Sequence, residues 1–169
     1  MKKILMMLVM AAVALLMGCS QLTVDNSVVE ELDLNRYLGT WYEIARFDHT
    51  FERGMEQTKA TYTLREDGMI DVLNTGIKDG KPKEAKGKGK LTDTPALLRV
   101  SFFGPFYSGY RIMMLDSAYQ YALVGSDSDD YLWILSRTPK LADDVKEKIL
   151  NEAKRRGYAI DKLIWVKQD

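Results

Sequence analysis

Short runs of apolar, aromatic and β-branched residues recur along most of the chain, parted by turn residues. Eight such runs stand out: Trp41–Phe47, Lys59–Arg65, Met69–Ile77, Lys83–Leu91, Leu97–Phe103, Tyr110–Leu115, Tyr119–Val124 and Tyr131–Ser136. Their separators are Asp67-Gly68, Asp79-Gly80 with Pro82, Asp93 to Pro95, Gly104-Pro105 with Gly109, Asp116 to Ala118, and Asp127 to Asp130. Eight strands at this spacing predict an all-β antiparallel sandwich or barrel. No helical pattern interrupts them, which disfavours a parallel βαβ sheet. The period then changes. Leu141, Val145, Ile149 and Ala153 recur every fourth residue and form the apolar stripe of one helix. Thr138 suits its cap and Pro139 its first position, while Gly157 suits its stop. Asp143 and Asp144 near the start and Lys154 to Arg156 near the end complement the helix dipole. Ala159–Val166 predicts a last strand. Ahead of the strands, Leu34 to Tyr37 predicts one helical turn, and Ser20 to Leu32 is mixed and reads as a tether.

The N-terminus has another pattern. Lys2 and Lys3 precede an unbroken apolar run from Ile4 to Met17. At 14 residues the run is short of the roughly 20 that span a bilayer, and it reads as a signal-peptide core. Leu16-Met17-Gly18-Cys19 resembles a bacterial lipobox. The resemblance implies that Cys19 is acylated and heads the mature chain, with residues 1–18 removed, 19–33 as tether and 34–169 as the folded domain. Several acyl chains at about 0.8 kcal/mol per buried CH₂ suffice for stable anchoring. Ser20 stands where Asp would signal inner-membrane retention in many bacteria. The expected address is therefore the periplasmic face of the bacterial outer membrane.

Composition narrows the chemistry. The 169 residues carry 24 basic and 24 acidic side chains. Without Lys2 and Lys3, the mature chain has 22 basic groups against 24 acidic, a net charge of −2. That is not the basic footprint of a nucleic-acid binder. One Cys and one His leave no disulfide framework and argue against a zinc site. No cofactor is expected.

Three short motifs fall in order along the strands. Gly39-Thr40-Trp41-Tyr42 opens the first, Asp116 and Tyr119 flank the turn between the sixth and seventh, and Arg137 ends the eighth. Together they resemble the three signatures of the lipocalin family, although the spacing within the second departs from the usual one. Segments 37–49, 100–107 and 130–139 are similar to the bacterial outer-membrane branch and its apolipoprotein D-like relatives. The resemblance covers Leu34 to Val166. It implies an eight-stranded antiparallel up-and-down barrel with one C-terminal helix and a final short strand. Relatives of this kind usually carry disulfides, which a single Cys cannot form within a chain. Strand counting agrees with the motifs. If the first strand starts at the barrel floor, the sixth-to-seventh turn and the end of the eighth lie there too. Trp41 and Arg137 then meet as a structural plug, a cation–π contact worth about 0.5–2 kcal/mol.

Strand alternation proposes the barrel lining. With Trp41 inward, Glu43, Ala45 and Phe47 follow it inward. Tyr62 shares a face with Ala60 and Leu64; Leu98, Val100 and Phe102 share another; Tyr131, Trp133 and Leu135 a third. By the family resemblance, Tyr62, Asn74 and Trp133 match pocket positions. The candidate ligand-binding set is Phe47, Phe51, Tyr62, Asn74, Val100, Phe102, Tyr131 and Trp133. Gly87 and Gly89 alternate with Lys86, Lys88 and Lys90, so a water-facing lysine row leaves the inward positions without bulk. Glu43 reads as a hydrogen-bonded or water-reached carboxylate, and a ligand head group remains its alternative. His49 reads as an exposed loop residue. The six lysines from Lys78 to Lys90 read as a solvated strand face, with anionic lipid as the alternative. The apolar loop from Phe102 to Tyr107 lies at the mouth. Its open readings are membrane contact, ligand access, a homodimer interface, or packing near Phe51.

The expected function is non-covalent binding, storage or transport of a fatty acid or lysophospholipid in envelope maintenance. An envelope lipoprotein with a filled barrel is the alternative. A lipid-modifying enzyme is disfavoured, because acylation of Cys19 leaves no cavity thiol.

Overall fold

The computed structural model describes residues 23–169; the signal segment and Cys19 lie outside them. One helical turn, α1 (Leu34–Tyr37), precedes eight antiparallel strands: β1 (Gly39–Phe47), β2 (Glu56–Leu64), β3 (Ile70–Lys78), β4 (Lys81–Leu91), β5 (Leu97–Phe103), β6 (Phe106–Leu115), β7 (Tyr121–Gly125) and β8 (Leu132–Ser136). Each pairs with the next, and β1 pairs with both β8 and β2, so the sheet closes. Helix α2 (Asp143–Arg155), a 3₁₀ turn (Ile160–Lys162) and the short strand β9 (Leu163–Trp165) complete the chain.

Two apolar cores follow from period-two alternation. The inner one fills the barrel floor with Tyr37, Trp41, Tyr62, Ile70, Val72, Leu98, Ile112 and Leu135. The outer one lies between the barrel wall and α2, where Ile149 and Ala153 meet Ile44, Ala45, Phe47, Leu123, Leu132 and Ile134. Full burial of one such aliphatic side chain contributes roughly 1.5–3 kcal/mol. Burying this stripe holds α2 in place.

Several boundaries differ from the sequence reading. The helix begins at Asp143 rather than Pro139, and its cap, Ala142, offers no side-chain hydrogen bond. Thr138 instead donates its hydroxyl to the Lys140 carbonyl in a separate turn. The helix ends as Gly157 suggests. Gly157 has φ +92°. The N–H groups of Gly157 and Tyr158 donate to the carbonyls of Lys154 and Ala153, the two bonds of a Schellman motif. The expected last strand shortens to β9, because a 3₁₀ turn occupies residues 160–162. Strand β6 starts at Phe106 and runs through Gly109, where the sequence predicts a turn. That glycine gives room for the Asp127 carboxylate, which accepts its N–H at 2.8 Å and would collide with a Cβ there.

A β-bulge in β1 changes the parity argument. Glu43 pairs with Leu135, but Ala45 pairs with the adjacent Ile134, so Ile44 is the extra residue. Ile44 and Ala45 both face α2, and the alternation flips beyond them. Ala45 and Phe47 therefore point out of the barrel, and Arg46 points in.

β1 and β2 pair only over Gly39–Tyr42 and their partners Lys59–Tyr62. Beyond that they splay, and β9 pairs with β1 over Ala45–Phe47. Gln168 closes the seam by donating to the carbonyls of Glu43 (2.7 Å) and Thr58 (3.0 Å).

Candidate ligand site

The floor is built by the residues on either side of Gly39. Its φ of +91° lets the chain turn from α1 into β1, and the Arg137 guanidinium lies under that turn. It sits 3.8 Å from the Trp41 ring centroid. It donates to the carbonyls of Arg36 (2.7 Å), Tyr37 (3.1 Å), Leu38 (3.0 Å) and Thr40 (2.9 Å). Trp41 Nε1 donates to the Tyr37 carbonyl at 2.8 Å. Tyr119, in the turn after β6, accepts from the Asp33 N–H through its hydroxyl and offers its carbonyl to Arg137. Asp116 accepts two N–H groups of the same turn, from Ala118 and Gln120. The plug is thus a charged hub that gathers the carbonyls of one helical turn.

Above Trp41 lie three phenols on three elements. Tyr62 donates to the Tyr110 hydroxyl at 2.9 Å, and the Tyr37 and Tyr110 hydroxyls are 2.6 Å apart. Burial raises all three phenols above their usual range. They form a neutral polar patch on an apolar floor.

Higher up, the inward-facing wall is less completely covered. Val100, Tyr110 and Trp133 pack on the inner core, yet all three are only half-buried. Side chains sealed in a filled core are wholly covered, and these three are not. Asn74 is half-buried too, and its Oδ1 is buried without a partner. It sits between Ala60 and Ala85 across the ladder. Gly89 adds room beside Ile70 and Val100. At Gly87 that room is taken, because the Phe102 ring lies 2.8 Å from where a Cβ would be.

The mouth holds a buried charged cluster. Glu43, 6% exposed, accepts from Arg46 Nη1 at 2.6 Å. Arg46 also donates to the carbonyls of Glu52 (2.6 Å) and Met55 (3.2 Å), which fastens the β1–β2 loop over the seam. The Glu52 carboxylate accepts from Trp133 Nε1 at 3.2 Å and lies 2.9 Å from His49 Nε2. Burial, with Glu52 nearby, pushes Glu43 up to about 8 against the pull of Arg46. Burial alone would also raise Glu52, but His49, Trp133 and Arg46 outweigh it and hold Glu52 below its ordinary value. The Tyr131 and Trp133 rings stack at 5.8 Å, and His49 packs on both.

The proposed lining residues separate into three places. Tyr62, Asn74, Val100 and Trp133 face the interior. Tyr131, Phe102 and the strongly exposed Phe51 sit at the rim. Phe47 lies outside the barrel against Tyr158, a correction forced by the bulge. His49 is buried rather than exposed, because the ring stack and Glu52 enclose it. The sequence pattern does not mark Arg46, Glu52, Tyr37 or Tyr110 as site residues. Tyr110 has a signal, since it shares a face with Ile112. Arg46 has none, since a bulge is defined only against the partner strand.

A closed eight-stranded antiparallel barrel, plugged by Trp41 and Arg137 at one end and followed by one helix and a short strand, is the lipocalin architecture. The sequence profile of the lipocalin-like domain matches residues 32–168, and the chain belongs to the lipocalin family. It is 51% identical to outer membrane lipoprotein Blc of Escherichia coli (strain K12), over 97% of each chain. It is 45% identical to outer membrane lipoprotein Blc of Vibrio cholerae, covering 91% of this chain and 93% of that one. Apolipoprotein D of Mus musculus is 34% identical over 83% of this chain and 79% of its own length. Among solved structures, lobster apocrustacyanin A1 superposes with a TM-score of 0.69 at 20% identity, over 81% of this chain and 80% of its own. That likeness is one of fold.

Proposed function

We propose that this chain is a lipoprotein, acylated at Cys19 and held on the periplasmic face of the outer membrane. There it binds, stores or carries a fatty acid or lysophospholipid for envelope maintenance. The observation that carries this reading is the half-buried state of the inward-facing Val100, Tyr110 and Trp133. An apolar cavity above a sealed floor suits one acyl chain, and the polar mouth suits a head group that remains near water. Tyr62, Asn74, Val100 and Trp133 line the acyl path; Phe51, Phe102 and Tyr131 frame its opening. The binding is non-covalent and needs no cofactor. Relatives named outer membrane lipoprotein support the address. Native mass spectrometry of gently extracted protein tests the reading. One co-purifying lipid per barrel is expected. A barrel that is always empty, and stays so when offered oleate or lysophosphatidylethanolamine, refutes it and favours an envelope lipoprotein with a structural or partner-binding role. Turnover of the added lipid would move the reading to an enzyme.

A further inference from the structure

Residues 23–33 do not hang free of the barrel. They run from mouth to floor, packing on the outer core through Val24 and on the inner core farther along. At the mouth end, Thr23 Oγ1 donates to Asp129 at 2.8 Å, and Asn26 Nδ2 donates to the Ser126 carbonyl at 3.1 Å. Both acceptors lie in the β7–β8 loop. Arg156, 8% exposed, donates to the carbonyls of Asp25 (3.2 Å), Ser27 (2.8 Å) and Met113 (2.8 Å). The Asp25 N–H returns a bond to the Arg156 carbonyl at 2.8 Å. Midway, the Val29 N–H donates to the Ile112 carbonyl at 2.9 Å, and Val28, Val29 and Leu32 pack on the inner core. At the floor end, the Asp33 N–H meets the Tyr119 hydroxyl. The segment is a strap, and its upstream end is at the mouth.

We propose that this strap turns the barrel mouth toward the phospholipid bilayer, so that the exposed aromatic rim rests on the lipid surface. The inference rests on the acyl anchor at Cys19 proposed above. Three residues lie between Cys19 and Thr23, and the four Cα-to-Cα steps reach at most about 14 Å. A nine-residue strand is about 30 Å long, and tilted by roughly 40° it still stands more than about 20 Å tall. An anchor leaving the mouth is therefore too short to pass the floor, and a floor-down orientation is excluded. The rim decides between mouth-down and side-lying. Phe51, Phe103 and Phe106 are 70%, 76% and 78% exposed. Phe51 lies in the β1–β2 loop and Phe103 and Phe106 at the mouth ends of β5 and β6, where Asp127 ties β5, β6 and the β7–β8 loop together through Arg99 and Arg111. Lys81 and Lys83, exposed beside the β3–β4 turn, stand at the same end and complement anionic head groups. Three large rings facing water at one end of the molecule match a surface that buries them. The ligand path would then open directly onto the membrane that supplies and receives the lipid.

The acylated full chain, reconstituted in vesicles of phosphatidylethanolamine and phosphatidylglycerol, tests this. Nitroxide labels go on Pro105→Cys at the mouth or Glu66→Cys at the floor, both exposed positions; the acylated Cys19 does not compete for label. Relaxation by oxygen and by a water-soluble nickel complex reports depth. The expected result is a mouth label in the head-group region and a floor label in water. Phe51→Ser with Phe103→Ser and Phe106→Ser, all at exposed sites, should then return the mouth label at least several-fold toward water accessibility. Protein that floats with the vesicles while both labels stay in water, or with the floor label in lipid, overturns the strap proposal alone. Protein that does not float with the vesicles refutes the anchor, and the proposal with it.

Discussion

Replacing Arg137 by Ala should cost the barrel about 3 kcal/mol of stability. The guanidinium donates to four carbonyls of the α1–β1 turn, but Nη2 serves three of them, so two to three effective bonds are at stake. A hydrogen bond from a charged donor contributes about 1.5–3 kcal/mol, and the Trp41 contact about 0.5–2 kcal/mol. The sum is discounted because Arg137 is half-buried, so water can reach the released carbonyls. Thermal unfolding followed by circular dichroism on a soluble mature chain (Cys19→Ser) is the assay. At roughly 2–4 °C per kcal/mol for a domain of this size, the midpoint should fall by about 6–12 °C. Arg137→Lys separates the two contributions. Lys keeps a cation over Trp41 but lacks the planar fork, so it should recover about 1 kcal/mol at most. A midpoint for Arg137→Ala within about 2 °C of the parent would refute the hub, and full recovery by Lys would refute the role of the fork.

Glu43 binds a proton more tightly folded than unfolded, with its folded value near 8; its contribution to stability is present below about pH 4.5 and is lost as pH rises through about 8. Glu43→Gln should flatten that slope in urea titrations between pH 5 and 9, and an unchanged slope would assign it elsewhere. Phe47→Ala should cost about 3–5 kcal/mol by opening the core under α2 while leaving lipid affinity per folded molecule unchanged; a large affinity loss without destabilisation would return Phe47 to the cavity. Gly109→Ala forces a Cβ into the Asp127 carboxylate and should cost about 1–3 kcal/mol, read as a lower denaturation midpoint. Long-chain lipid should quench tryptophan emission through Trp133, so Trp133→Phe should remove most of the change; identical quenching in both proteins contradicts its place on the ligand path.

The parts of the fold read correctly are those whose signal is local. Leu97–Phe103 is bounded by turn residues on both sides and is the strand β5 residue for residue. Val145, Ile149 and Ala153 of the stripe lie on the covered face of α2, Leu141 packs on the same core just ahead of it, and Gly157 stops the helix. Misreadings came where a residue's usual role was overridden by a distant partner. Gly109 looks like a turn until Asp127, 18 residues away, is seen filling the space of its missing side chain. Pro139 looks like a helix start, but the chain turns once more before α2 packs on the barrel. Ser20 to Leu32 looks like a tether because its few apolar residues have no period. The bonds from Arg156 and Ser126 that hold residues 25–27 join positions 100 or more apart.

By itself, then, the sequence determined the number and order of the strands, the helix stripe and the pairing of Trp41 with Arg137. The first three follow from short-range periodicity; the pairing follows from strand counting once the lipocalin resemblance supplies the barrel. Only the tertiary structure decided which side chains face the cavity beyond the middle of β1. One extra residue at Ile44 inverts every later position of that strand, moving Phe47 out and Arg46 in. The same bulge sets the chemistry of the mouth. Buried Arg46 is met there by the Glu43 carboxyl oxygen and two loop carbonyls, since a charged group without hydrogen-bond partners in that interior would be too costly. The direction of the N-terminal strap was likewise set by contacts across the fold, because a segment without periodicity takes its path from the surface it lies on.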